Sequence, residues 1–259
     1  MLRLAFASLA FASLVVAPLR AQAPAPSEPP ASDEKKSEPI VDDANAATTF
    51  LRDQQKALAD PDAATRIGAL DRFATHRNES YVKPVAALLK DKNPEVVKAA
   101  VRALGNQPYP ASTEALLSYV TNPKLYQGDP ELAAAAVLAL GDAGLGKKGY
   151  DALRAMFDDV SDKSVKTAIC RAFLAAKEKK AFSFFVDHCD LPVADPKAAN
   201  NPPASWWKAR TEEYNDYKQY VRQGLKALTG QALATSKQYI DWANSAEGKK
   251  SGLVYKKGG

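Results

Sequence analysis

The chain has 259 residues, 46% of them hydrophobic and 25% charged, with a formal net charge of +5. These values are ordinary for a folded, water-soluble protein of one large domain or two small ones. Without Arg3 and Arg20 of the N-terminal segment, 33 basic residues face 30 acidic ones, and downstream of Ser205 ten face five. The positive excess therefore sits at the C-terminal end of a mixed-sign body. That argues against nucleic acid as partner, although a basic tail could touch an anionic surface weakly.

The first segment, "MLRLAFASLAFASLVVAPLRAQA", carries Arg3, an apolar run from Leu4 to Val16, and the small-x-small triplet Ala21-Gln22-Ala23. This is the pattern of a secretory signal over 1–23, cleaved after Ala23, and it implies a periplasmic or secreted protein. The run is short for a membrane span of about 20 apolar residues, so no transmembrane segment is expected after cleavage. Residues 24–42, with "PAPSEPPASDEKKSEP", are rich in Pro, Ser and charge. They hold too little apolar surface to offset ordering entropy and read as an extended tether, with folded structure starting near Asp42 or Asp43.

A repeat array is predicted over 43–190. "NAATTFLRDQQKALA" (Asn45–Ala59) reads as an N-terminal cap helix. Four helical segments follow, "AATRIGALDRF", "PEVVKAAVRAL", "PELAAAAVLAL" and "KSVKTAICRAF", ending at Phe73, Leu104, Leu140 and Phe173. The steps between those ends are 31, 36 and 33 residues. Each segment is introduced by Asp, Asn or Pro, which suits a cap followed by a first-turn proline. Seven positions before each end stand Arg66, Val97, Ala133 and Lys166, and alanines fill the middle. A second helix is expected after each: about Tyr81–Lys90, Ser112–Thr121, Lys148–Asp158 and Lys180–Cys189. Self-similarity at this period means stacked helix pairs.

Residues 191–203, "LPVADPKAANNPP", form a linker. A helix from about Ala204 to Leu228 comes next, then a break at Thr229-Gly230-Gln231 and a short helix through Trp242, together an aromatic-rich cap over 204–247. Residues 248–259 read as a solvated basic tail.

The rung Asp-Pro-x-x-hydrophobic-Arg/Lys-x-Ala-Ala-x-x-Ala-Leu-Gly, best seen in Asn93–Gly105 and Asp129–Gly141, resembles HEAT repeats from about Ala44 to Cys189. Phe73 and Phe173 replace the Leu of the outer rungs, leaving the repeat count less regular than the fold. With no sustained period-2 alternation, the fold class is all-α: an α-α superhelix of about four helix pairs between terminal caps. The resemblance implies a protein-binding or scaffolding solenoid, since arrays of this kind mostly serve as binding surfaces. A few relatives are bilin lyases or isomerases, so an enzyme of that type is the alternative, and a structural protein of the cell envelope is a third.

Residue chemistry offers no catalytic, cofactor or metal site. Gly144-x-Gly146-x-x-Gly149 follows a helix, where a phosphate-binding loop needs a strand, and reads as the turn inside rung three. His188 and Cys189 are adjacent on a helix, so their side chains diverge by about 100°. No CxxC, HExxH or GxSxG spacing occurs.

For a protein partner, the second helices should line a concave face, with Lys83, Glu114, Asp151, Arg154, Phe184 and Asp187 exposed on it. Their mixed charge favours a protein over a polyanion. On the long C-terminal helix, Trp207, Tyr214, Val221, Leu225 and Leu228 form one stripe, and Trp206, Tyr217 and Tyr220 an adjoining one. The second stripe either completes a wide cap or stays exposed to grip a partner. Finally, Cys170 and Cys189 lie nine and ten residues either side of a hairpin turn near Lys179. In an exported protein they are candidates for a disulfide, the alternative being two buried thiols.

Overall fold

Side-chain caps punctuate the chain. The computed structural model describes residues 38–194 and 200–257, apart from the Tyr126 side chain. The signal segment and residues 24–37 of the tether lie outside the described residues. Strand β1 (Ile40–Val41) leads into α1 (Ala44–Leu58), whose cap Asp43 accepts the N–H groups of Asn45 and Ala46. Asp62 caps α2 (Ala63–Phe73) through the Thr65 N–H. Strand β2 (His76–Arg77) and a 3-10 turn (Glu79–Tyr81) precede α3 (Val82–Ala87), which a second 3-10 turn extends to Lys90. Asn93 caps α4 (Pro94–Gly105), followed by α5 (Pro110–Val120) and the short α6 (Pro123–Gly128). Asp129 caps α7 (Pro130–Ala143), which turns into α8 (Gly146–Asp159). Asp162 caps α9 (Lys163–Ala175), paired with α10 (Ala181–Asp187). The 26-residue α11 (Ala204–Thr229) stops at Gly230, whose φ of 72° suits a left-handed C-cap. Next, α12 (Ser236–Asn244) starts on a Thr235/Gln238 capping box, and α13 (Ala246–Ser251) on Ser245.

The fold is all-α: among the described residues thirteen α-helices stand beside one two-residue ladder. It is a HEAT-like solenoid. Helices α2, α4, α7, α9 and α11 stack in sequence as one layer, while α3, α5 and α8 form the other. The extra helix α6 accounts for the long 36-residue step. No described helix is long and apolar enough to cross a membrane.

The four rung-ending residues Phe73, Leu104, Leu140 and Phe173 are all completely buried. Each contributes on the order of 1.5–3 kcal/mol by burial. Small residues set the spacing of the first layer. A Cβ added at Gly105 would stand 2.9 Å from the Ala139 Cβ, and one at Gly141 would stand 2.6 Å from the Ala172 Cα. Arg66 and Lys166, at matching rung positions, are buried to 6% exposure and ion-paired across the stack. Arg66 meets Asp91 at 2.9 Å and Lys166 meets Glu213 at 2.5 Å. Val97 and Ala133 occupy the same position in the inner rungs, which are covered by apolar neighbours on both sides.

Three expectations need correction. Folded structure begins before Asp42: β1 pairs in parallel with β2, with the Ile40 N–H bonded to Thr75 O at 2.9 Å. Asp42 then anchors this end, accepting from His76 Nδ1 at 2.9 Å and from the Tyr81 hydroxyl. Nor is the basic tail free in solvent. Leu253 is buried, Ser183 Oγ donates to Val254 O at 3.3 Å, and the Lys256 N–H donates to Ser183 Oγ at 2.8 Å. The third concerns Cys170 and Cys189, which are free, buried thiols. Helix α10 ends at Asp187, earlier than expected, so Cys189 sits in the turn beyond it with its thiol toward the Asp190 carboxylate at 3.6 Å. Burial is the first cause raising both thiols, Cys189 to about 12, so neither supplies thiolate at neutral pH.

Candidate binding groove between the second helices

The α7–α8 turn holds the mouth of a groove. Its backbone needs glycine: Gly144 and Gly146 have φ of 94° and 61°. Thr113 on α5 donates to the Gly144 carbonyl at 3.1 Å, and its Cγ2 would lie 2.9 Å from a Cβ at Gly146. The start of α5 is thereby clamped to the start of α8, and an open groove of about 960 Å³ lies between them. Tyr109, Pro110, Leu117 and Leu145 supply an apolar lining, with Glu114, Ser118, Lys147 and Lys148 exposed at the rim. The glycine-containing turn is a helix–helix turn, as its sequence context implies.

The residues singled out from sequence scatter. Glu114 alone lies on the groove. Lys83 and Asp151 are exposed on α3 and α8. Arg154 is half-buried, paired with Asp158, its guanidinium 5.7 Å from the centre of the Phe184 ring. Asp187 is exposed and accepts the Tyr255 hydroxyl at 2.7 Å. Phe184 is completely buried, which removes it from any exposed face. It packs edge-on against Phe157 and Phe173 because α10 turns its apolar side into the last rung. Tyr217, 8% exposed, is likewise a core residue, packed against Phe157 and Tyr214. Tyr220 is half-buried with Arg171 5.5 Å over its ring. Only Trp206, 44% exposed, stands out from the aromatic stripe, edge-on to Trp207. Lys147 and Lys148 lie inside the glycine pattern that reads only as a turn, whereas Tyr109 and Leu117 are groove residues that no sequence motif marks. Their one signal is Tyr109-Pro110 opening a helix opposite a glycine turn.

The inner end of rung four holds His188 among Phe157, Phe184 and Tyr217, its Nδ1 2.7 Å from Phe184 O. Desolvation, chiefly, lowers its pKa below 6.5. The unfolded chain then binds more protons than the folded one, so this group's contribution is intact above about 6.5 and lost as pH falls through the folded value. His188→Phe should flatten the decline in urea-unfolding stability just below about pH 6.5. An unchanged pH slope would show that His188 does not titrate on unfolding. Among the described residues, no group of three or more His, Cys, Asp or Glu is placed to hold a metal ion.

Residues 54–126, from within α1 into α6, match the family model described as HEAT repeats. Residues 54–126 carry HEAT repeats. No curated protein matches it. The HEAT match covers rungs one and two, and beyond it α7 and α9 continue the first layer and α8 the second. The groove therefore lies where the matched HEAT repeats pass into rung three.

Proposed function

We propose that this protein is a non-catalytic binding or scaffolding solenoid of the cell envelope or of the secreted fraction, which holds a protein segment in the α5–α8 groove. The observation carrying this reading is an apolar groove clamped open by Thr113, with charges of both signs on its rim. Such a surface suits a polypeptide with apolar anchors and mixed-sign flanks. HEAT repeats in general serve protein interaction, which supports the class. The N-terminal signal pattern supports the location.

A photoreactive phenylalanine analogue in place of Leu117 tests it in cells producing the full chain. The expected result is a discrete cross-linked protein adduct in the envelope fraction or medium, absent when the probe replaces Lys83. Leu117→Arg should reduce recovery of that partner by roughly tenfold or more while leaving the melting temperature within a few degrees, as expected for a half-buried groove position. Equal cross-linking from both positions, or adducts only in the cytoplasm, would overturn the reading.

A further inference from the structure

Downstream of Asp216 eight basic residues face two acidic ones. Four of the eight, Lys249, Lys250, Lys256 and Lys257, lie on α13 and the segment after it, and all four are exposed. That segment is not loose. Leu253 is 4% exposed and Tyr255 half-buried, its hydroxyl held by Asp187. Ser183 bonds the backbone at Val254 and Lys256. Residues 253–256 thus alternate in, out, in, out, as an extended strip does. Val254, 66% exposed, and Lys256 face solvent. Nearby Lys237 is paired with Asp241 at 2.7 Å, whereas the four ridge lysines make no ion pair among the described residues. The acidic groups bordering the ridge are already engaged: Glu247 accepts from Gln231 at 3.4 Å, and Asp187 from Tyr255.

We propose that this lysine ridge, in which two lysine pairs flank the exposed Val254 along the chain, docks the protein on an anionic lipid surface. Unpaired lysines around one exposed aliphatic side chain match what such a surface selects: charge at headgroup level and a shallow apolar contact. Single-stranded nucleic acid would need exposed aromatic faces for stacking, and the only ring on the ridge, Tyr255, is half-buried with its hydroxyl committed. The ridge and the α5–α8 groove share no residue, so the proposal stands apart from the function proposed above. Pinning the strip to α10 in advance lowers the ordering cost of binding.

The test is sedimentation of the purified protein with phosphatidylcholine vesicles, with and without phosphatidylglycerol. Binding is expected only with phosphatidylglycerol, and release by added salt. Replacing all four ridge lysines with Gln should lower the partition coefficient by roughly 600-fold, at about fivefold per lysine. Replacing Lys83, Lys90, Lys92 and Lys124, all exposed on the earlier rungs, should change it by less than about threefold. If the ridge variant does not fold, Val254→Cys carrying an environment-sensitive dye supplies an independent reading, since Cys170 and Cys189 are buried from label. Its emission should shift to the blue with phosphatidylglycerol vesicles alone. Equal binding to neutral vesicles, an unaffected ridge variant, an unshifted dye, or preference for an oligonucleotide over vesicles would each overturn the proposal.

Discussion

Gly141→Val should lower the melting temperature by roughly 6–12 °C, corresponding to about 3 kcal/mol in a chain of this size. The reason is the seam between α7 and α9. A Cβ at 141 would stand 2.6 Å from the Ala172 Cα, 2.8 Å from its Cβ and 3.1 Å from its carbonyl oxygen. None of these atoms can rotate away, as the end of a long side chain could. The two helices must separate, and Leu140 and Phe173, both completely buried, lose contacts with them. Gly68 is the matched control, since it lies inside α2 with nothing within 4 Å of an added Cβ. Gly68→Ala should therefore stabilise by about 0.5–1 kcal/mol through helix propensity and reduced freedom of the unfolded chain. Calorimetry of the two variants decides the matter. A neutral Gly141→Val would mean that the first layer is not set by small residues.

That seam is legible in the amino-acid sequence. The Asp/Asn-Pro starts place the beginnings of α4 and α7 to the residue. The recurring Ala-Leu-Gly places the end of α4 to within one residue, while α7 runs three residues past Leu140. Caps and small-residue contacts are local chemistry repeated at a fixed period. The ends of the array are less legible, because tertiary contacts without a period hold them. Ile40 and Val41 are two residues of strand whose partner lies 36 positions away, too short to show alternation. Leu253 and Tyr255 are the only inward residues of the final strip, and flanking lysines hide them in any composition window.

The aromatic stripe misleads for a different reason. A helix against one neighbour buries one stripe, but α11 packs on both α9 and α10. Its buried face widens to include Glu213, Tyr214, Tyr217, Val221, Gly224 and Leu225. Phe185 fills the notch at Gly224, its ring 2.4 Å from where a Cβ would be. Trp206, in the first turn of α11, stays exposed. The groove is not legible because it depends on the clamp between Thr113 and a turn 31 residues later, and nothing in either segment announces the other.

Glu213→Ala should cost about 3–5 kcal/mol, the larger of the two effects, because it leaves the Lys166 ammonium buried without its counter-charge. Lys166 is 6% exposed, lies 2.5 Å from Glu213, and among the described residues has otherwise only the Phe157 ring, 5.0 Å from its Nζ. Glu213 is better supplied. Arg210 meets its second oxygen at 2.7 Å from a half-exposed position on the same helix. Lys166→Met should thus be distinctly milder than Glu213→Ala, since the carboxylate keeps one partner that solvent also reaches. Lys166→Met with Glu213→Leu removes both buried charges and should return stability to within about 1 kcal/mol of the parent, or above it. Urea unfolding of Lys166→Met, Glu213→Leu and the double variant closes the cycle, and the coupling should exceed about 1 kcal/mol. The pair joins α9 to α11 much as Arg66 and Asp91 join α2 to the turn before α4, so a charged residue at this rung position marks each end of the stack. A cost below about 1 kcal/mol for Glu213→Ala would mean that apolar contacts alone seat the last helix, and the charge at position 166 would need another reason.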